Sequence, residues 1–544
     1  MARDGSRRQW RPTAALLLLA LAAAACGGGS DGEESGDGES DGATAVVEVP
    51  QPSGEPVVGG ELVYGIRSDG TGFDTTSPLQ PASHVVIGPM NDPLVGIDEN
   101  NNWKPNLAEG LAPNADFTEW TIKLRPDVRF HDGEPVDAAA VVANLEAFIG
   151  SPTVGFALSS VESVTAVDEL TVSVKTSTPW ATFPYYLADQ PGYVVSPDTI
   201  GSNDTFVGVG PFVLENWNPG DSARMVRNDD YWRGDEGFPY LDAVTMKVIP
   251  EQEGRRQAFE AGDIQAYSNP GDSTIVEFLA NPDVRVDRNT GSANEFLITL
   301  NTNEPPLDDV RVRQALAKAV DRDLIIESFR SGLTVPASSY IDAGSEFSVD
   351  AGYPGFDPEG AAELVAEYEE EVGPIEFTLL SANTTELLDT AALVVSLWEE
   401  VGIDVELEET APGTVVPPVI NDDFDAVVWA QFGGVDPDSE YVFFHSSGGA
   451  LNWSNLESSK LDEGLDLGRN TDDPEVRAEG YAKVQEAFAE EVPMIWIDHL
   501  GPAQAVVSDP SVGGIFPGTL PDGSVKLGFV NGDRFSWEDV WIGG

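Results

Sequence analysis

The stretch from Ile375 to Leu407 constrains the fold more than any other part of the chain. Ile375 to Leu380 reads as a strand, and Leu387 to Val401 as a helix that stops at Gly402. Ile403, Val405 and Leu407 then alternate with acids as a second strand. Glycine suits the first position past a helix, where the backbone turns left-handed. Two strands joined by a crossover helix favour parallel pairing, with the helix packed on the sheet. Similar elements surround this unit. Ile298 to Leu300 is a strand, and Asp308-Asp309 caps a helix whose Val312, Leu316, Ala319 and Val320 share one face. Asp473-Pro474 opens a helix with proline in the first turn, where its missing N–H costs nothing. Val476, Tyr481, Val484 and Phe488 form that helix's buried stripe, and Met494 to Ile497 is the next strand. Nearer the start, Leu62, Tyr64 and Ile66 alternate in an opening strand. Trp120 to Arg125 and Val128 to Phe130 read as a hairpin about Pro126-Asp127, and Asp137 as the N-cap of a helix over Ala138 to Phe148. A chain of 544 residues exceeds what one core organises. A hydrophobic content of 41% with twelve tryptophans is ample for several. The class is α/β, in two lobes of unlike size.

The chain carries one cysteine, Cys26, so it forms no internal disulfide. Ahead of it stand Arg3, Arg7, Arg8 and Arg11 against the single acid Asp4, then an Ala/Leu run from Ala14 to Ala25. A basic start, a short apolar run and small residues before a cut describe an export signal. The run, about twelve residues, is shorter than the roughly 18 that span a bilayer. Leu21 to Cys26 resembles a bacterial lipobox, with alanine instead of leucine three before the cysteine. Residues 1–26 are therefore expected to be a lipoprotein signal peptide, and Cys26 the lipidated mature N-terminus. Ser6-Arg7-Arg8-Gln9-Trp10 also resembles a twin-arginine export signal, although Arg11 stands where an apolar residue is usual. The general secretory route is preferred. Residues 27–57 are rich in Gly, Ser, Asp and Glu with no basic residue, too polar to offset the entropy of ordering. They are expected to form a disordered tether of ~30 Å reach, in which Gly28-Gly-Ser30-Asp-Gly32 cannot form the strained elbow of a G-x-S-x-G nucleophile. The folded part is thus expected outside the cytoplasm, at a membrane.

The formal charge is −64, spread through the folded part, and Lys is scarce. Such a surface makes nucleic acid a poor partner and implies strong self-repulsion at low salt. Adaptation to saline surroundings is one reading of it, and composition inherited from a GC-rich genome is the alternative. The four histidines, His84, His131, His445 and His499, are scattered and none has a second His or Cys at metal-ligand spacing. Asp98 to Glu109 has oxygen donors in EF-hand register, but Trp103 stands at the glycine position and Pro105 disturbs the loop, so a polar hairpin turn is expected. No Ser/His/Asp or Cys/His set and no phosphate-cradling glycine loop is readable, and the acids are too numerous for a catalytic pair to be picked out. A binder is favoured, and a secreted, lipid-anchored hydrolase is the alternative.

Asn91-Asp-Pro-Leu-Val95, Pro105-Asn-Leu-Ala-Glu109, Leu124-Arg125 and Phe130-His-Asp-Gly133 occur in that order. Gly208-Val-Gly-Pro-Phe212, Arg227-Asn-Asp-Asp-Tyr-Trp232 and Tyr240-Leu-Asp-Ala-Val244 follow. The stretch from Pro305 to Ala315 and Asn452-Trp-Ser454 complete the series. Together they resemble the blocks of extracellular solute-binding proteins of the peptide/nickel type, family 5, which serve ABC importers. The resemblance implies a two-lobed, periplasmic-binding-protein-like clamshell with a small extra domain inserted early. Lobe I would comprise 58–93, 206–293 and 501–544, domain II 94–205, and lobe III 294–500, with the ligand enclosed between lobes I and III. It implies a monomer that passes a small solute, peptide or peptide-like, to ABC permease subunits, with no cofactor, no metal and no catalysis. Phe130-His-Asp-Gly133 reads as a strand-end turn.

By the same resemblance the pocket lies partly on Trp429 to Tyr441. Trp429 and Phe432 would stack on the ligand, and Gln431 would donate and accept hydrogen bonds. Asn452 and Trp453 fall near the cleft, and Phe73 and Asp74 in an early loop bordering it. Peptide-binding relatives hold the ligand's ammonium with an aspartate a few residues past the tryptophan. Here Phe432 or Gly433 occupies that place, and an unpaired buried ammonium costs several kcal/mol. A free peptide N-terminus is expected to bind poorly unless Asp436 reaches it, although Asp436-Pro437 also matches a structural Asp-Pro of the family. Modified peptides, opine-like compounds and oligosaccharides stay open beside peptides. Nickel complexes are disfavoured by the scattered histidines, although the family's metal often arrives inside a small chelator.

Overall fold

The computed structural model describes residues 55–543, except 71, 78–80, 269, 289–293, 502–503 and 528–534. Cys26, the export signal and most of the tether lie outside the described residues. Two mixed sheets organise the rest. The first has seven strands, in the order 285–288, 505–508, 266–268, 61–66, 243–248, 222–227 and 212–218. Its strands come from three separated stretches of chain. Glu61–Ile66 pairs in parallel with both neighbours, so Leu62, Tyr64 and Ile66 all reach one core with Val244, Met246, Phe212 and Trp537. The opposite face packs on the helices Gln252–Glu260 and Asp272–Leu279.

The second sheet has six strands, in the order 335–336, 494–499, 294–300, 426–432, 376–382 and 404–410. The strand–helix–strand unit expected from sequence is here. Glu376–Ala382 pairs in parallel with Asp404–Thr410 across the helix Thr385–Glu400. Gly402 follows that helix at φ 99°, the left-handed conformation that the stop requires. One face buries Phe296, Ile298 and Leu300 against helices that include Val310–Ala319, Pro358–Glu371 and Thr385–Glu400. The other buries Leu297 and Trp496 against Ser459–Arg469 and Pro474–Glu491. Asp309 and Asp473 cap their helices through backbone N–H groups, as does Asp137 for Ala138–Ile149. The chain passes between the two sheets twice, once after 285–288 and once after 494–499.

A third, smaller core lies on a four-stranded antiparallel sheet, 108–113, 119–124, 171–176 and 161–168, with the helix Ala138–Ile149 against it. The hairpin expected about Pro126-Asp127 is not formed. Glu119–Leu124 pairs with Ala108–Pro113 and Thr171–Thr176, while Val128 and Phe130 turn inward from irregular chain. Their alternation came from burial, and the strand's own partners lie far along the chain. Asp98 to Asn102 is a polar turn between Val95–Ile97 and Trp103–Pro105, its Asp98 carboxylate accepting from the N–H groups of Asn100 and Asn102. Among the described residues no helix is long and apolar enough to cross a membrane.

Candidate functional site

The small domain and the six-stranded lobe meet along one seam, and a cavity of about 420 Å³ opens in it. Phe148, Phe156, Tyr185 and Tyr186 line it from the small domain, while Gly434, Asp436, Ser439, Glu440 and Phe443 line it from the lobe. Phe156 and Phe443 meet edge to face across the seam at 5.8 Å. A second cavity of about 100 Å³ shares Tyr185, Asp189, Gly434 and Val435, and adds Asn91, Asp92, Lys526 and Glu538 from the seven-stranded lobe. Neither side-chain polar atom of Asn91 has a hydrogen-bond partner there. All three bodies therefore contribute to one cleft, and apolar walls with a few placed polar groups suit capture of a small organic molecule.

The seam is fastened beside the cavity by one buried carboxylate. Asp438 is 1% exposed and pairs with Arg469 at 2.7 Å within its own lobe. From the small domain, Trp180 Nε1 donates to it at 2.9 Å and Thr182 Oγ1 at 2.6 Å. The Tyr186 hydroxyl donates to the Asp438 carbonyl at 2.7 Å, and the Ala181 N–H to the Arg469 carbonyl at 2.8 Å. The Arg469 guanidinium lies 4.6 Å from the Trp180 ring centre. The remaining hydrogen-bonding positions of this buried pair are thus filled by donors from across the seam.

A row of polar side chains runs behind the cavity. Gln431, Glu295 and His499 are cross-strand neighbours in the six-stranded sheet. The Gln431 amide donates to Glu440. Burial pushes the Glu440 carboxyl up to about 7, against the hydrogen bonds from Gln431 and Ser439 that hold it down. Glu295 is fully buried and neither carboxyl oxygen has a hydrogen-bond partner. Burial, with Glu440 and Asp342 nearby, drives it well above the usual carboxylate range. His499 Nδ1 stands 3.7 Å from Glu295 and burial lowers its pKa, keeping the ring neutral. Among the described residues no group of three His, Cys, Asp or Glu side chains is suited to a metal ion.

A sequence model described as "Bacterial extracellular solute-binding proteins, family 5 Middle" matches residues 102–453. The chain belongs to this family. It is similar to the glutathione-binding protein GsiB of Pectobacterium atrosepticum, 29% identical over 317 residues. That match takes 56% of this chain and 61% of GsiB, less than two thirds of the relative's length. The fold is that of the two-lobed periplasmic binding proteins. AgaA of A.tumefacien R10, solved with agropinic acid, aligns at a TM-score of 0.76 and 25% identity over 89% of this chain and 99% of AgaA. AppA of Bacillus subtilis, solved with a nonapeptide, aligns at 0.74 and 22% over 90% of this chain and 100% of AppA.

The family 5 blocks quoted from the sequence largely hold one another. Asp92 accepts from the Tyr231 hydroxyl at 2.9 Å and from Trp232 Nε1 at 2.8 Å. The His131 N–H donates to the Gly208 carbonyl, and its Nε2 lies 3.1 Å from the Gly210 carbonyl. Burial lowers the His131 pKa to about 4, so this histidine is a neutral structural residue. A Cβ on Gly210 would stand 2.3 Å from the Asn91 nitrogen, which is why that block needs glycine.

The residues singled out from sequence are spread around the lobes. Trp429 is half-buried and packs edge to face on Trp453 at 4.8 Å. Trp453 Nε1 is buried without a hydrogen-bond partner. Asn452 holds a turn, donating to the Leu456 carbonyl and accepting from Ser454 Oγ. Phe73 is 2% exposed, deep in the first lobe's core against Phe206 and Trp217. Asp74 closes its own loop, accepting from Thr76 and Ser77. Asp436 borders the cavity, but its carboxylate receives Arg477 at 2.6 Å. Phe432 ends its strand, and its side chain lies outside the described residues. Sequence reasoning missed Glu295, Glu440, Asp438 and the small-domain wall from Trp180 to Asp189. Asp438 and Glu440 fall inside the Trp429 to Tyr441 stretch, whereas nothing local marks Trp180 or Glu295.

Proposed function

We propose that the protein captures one small solute, peptide-like in class, by closure of its lobes and delivers it to an ABC-type importer as a monomer without catalysing a reaction. The observation that carries this reading is the cavity of about 420 Å³ at the seam between the small domain and the second lobe, in a chain of family 5. Glutathione, agropinic acid and a nonapeptide, the ligands named for GsiB, AgaA and AppA, support a peptide-like or amino-acid-derived solute. Closure would select and stabilise the enclosed state, a hinge transition about the two chain crossings. Trp429, Gln431, Phe432, Asn452 and Trp453 are proposed to border the ligand on the lobe III side, and Phe73 and Asp74 to support the facing loop.

A thermal-shift screen of short peptides, blocked peptides, opines and oligosaccharides should find a ligand that raises the melting temperature, and X-ray scattering should then give a smaller radius of gyration. A tight ligand with an unchanged radius would refute capture by closure. Turnover of that ligand would transfer the protein to the hydrolase reading. Lipid anchoring through Cys26 is proposed from the sequence alone. The Cys26→Ala chain should accumulate as unprocessed precursor or be released, and undiminished membrane retention of a processed form would refute the anchor.

A further inference from the structure

We infer that the solute carries a positive charge, an ammonium or guanidinium group, received by Glu440 at the seam cavity. This deepens the solute-binding reading and rests on it. Among the described residues no Lys or Arg lines this cavity; its histidine, His84, is buried with Nδ1 3.1 Å from the Tyr193 hydroxyl, and Asp189, Asp436 and Glu440 line it as acids. The cations close by are already engaged: Arg477 on Asp436, Arg469 on Asp438 and Lys526 on Glu538. Glu440 has neutral donors only, Gln431 and Ser439.

A second observation points the same way. Behind Gln431 lies Glu295, fully buried, with both carboxyl oxygens unpartnered and a neutral His499 beside it. Two carboxyls interact here, and no described side chain supplies a countercharge. Burial raises the pKa of both, and at Glu295 the neighbouring Glu440 and Asp342 add to the rise. The walls suit the same guest, because Phe156, Phe443, Tyr185 and Tyr186 line the cavity and a cation is attracted to the face of such a ring. No set of three ligands suited to a metal ion occurs among the described residues, so the fitting guest is an organic cation. An anionic solute entering this cavity would meet Asp189 and a partly ionised Glu440, with no Lys or Arg on the lining.

Proton balance follows. The Glu440 carboxyl, pushed up to about 7 by burial, is partly protonated at neutral pH. A bound cation lowers its pKa, so binding at pH 7 releases a proton, and affinity for a guanidinium or a lysine-type ammonium, which keeps its charge over this range, rises as pH rises toward 8.

The test is a matched ligand set: free-amine, N-acetylated, Lys-bearing, Arg-bearing, Gln-bearing and Glu-bearing peptides of one length, with maltotriose and an opine as non-peptide probes. The expected result is that only cation-bearing members bind tightly, the Lys and Arg arms distinguishing ammonium from guanidinium. Calorimetry of the tight binder at pH 7 in phosphate and in Tris should give heats that differ by proton release. Glu440→Gln should weaken the cationic ligand at least tenfold while leaving a neutral analogue's affinity unchanged. If neutral or anionic members bind as tightly as cationic ones, the charge inference fails and solute capture stands. If no member of any charge binds, the solute-binding reading itself fails. A Glu440→Gln protein that folds, judged by its melting curve, yet keeps full affinity and proton release would overturn the role given to Glu440.

Discussion

Phe73 and Trp429 are both aromatics assigned to the pocket from sequence, and their surroundings separate them. Phe73 is buried in the first lobe's core against Phe206 and Trp217, so Phe73→Ala should cost about 3–5 kcal/mol of stability and leave the affinity of the folded fraction within twofold. Trp429 is half-buried between two apolar clusters of its lobe and rests on Trp453. Trp429→Ala should cost about 2 kcal/mol, roughly half a full tryptophan truncation, and weaken ligand binding at least tenfold. Denaturant melts with calorimetry on both variants decide the assignment, and the reverse pattern would place Phe73 at the ligand. Asp436 teaches the same lesson about charge. Its position in the sequence suggested a hand for an ammonium, but Arg477 holds both carboxylate oxygens.

At the scale of elements, the turn Pro437–Glu440 and the helix Ser459–Arg469 meet the small domain through Asp438 and Arg469. Thr182 and Trp180 donate to Asp438 across the seam, so this contact draws on bonds that need no ligand. Thr182→Val removes one of them, worth about 1 kcal/mol, and should shift the ligand-free protein toward open lobes. Asp438→Asn leaves the Arg469 charge unpaired, with a cost of about 3–5 kcal/mol if the pair stays buried, and should open it further. Scattering or a fluorescence pair spanning the seam reads this directly. An unchanged radius for folded Thr182→Val, with unchanged ligand affinity, would show that the contact does not bias closure.

For the molecule as a whole, charge governs the response to pH and salt. Burial raises Asp92, Asp539 and Glu440 above the ordinary carboxylate range, Glu440 to about 7. A raised acid binds more protons folded than unfolded, so stability falls as pH climbs from the ordinary range to about 7. Glu61, Asp309 and Asp357 have opposite shifts, through Arg224, Arg311 and Lys318, and their contribution is lost as pH falls through their lowered values. Melting temperature should therefore be highest near pH 5, and at pH 8 it should rise with added salt, which screens the repulsion of a chain at −64. A salt-independent melting curve with its maximum above pH 7 would contradict this account.

Local chemistry determined the elements that sequence reading identified. The Asp caps at 137, 309 and 473 and the left-handed stop at Gly402 each depend on residues a few places apart, and the parallel unit from Glu376 to Thr410 on strands joined by a single crossover helix. The ordered family blocks pointed to the family and its two-lobed class, although their packing against one another emerged only in three dimensions. What failed was non-local. Val128 and Phe130 alternate like a strand because both face a core, yet the strand Glu119–Leu124 finds its partners at 108–113 and 171–176. The seam cavity likewise joins residues near 150, 185 and 440. Glu295 acquires its meaning only from Gln431 and His499 on neighbouring strands. Sequence order fixes hydrogen bonds and caps within a few residues, but burial, and with it the strength and charge of a carboxyl, is decided by whichever distant segments fold over it.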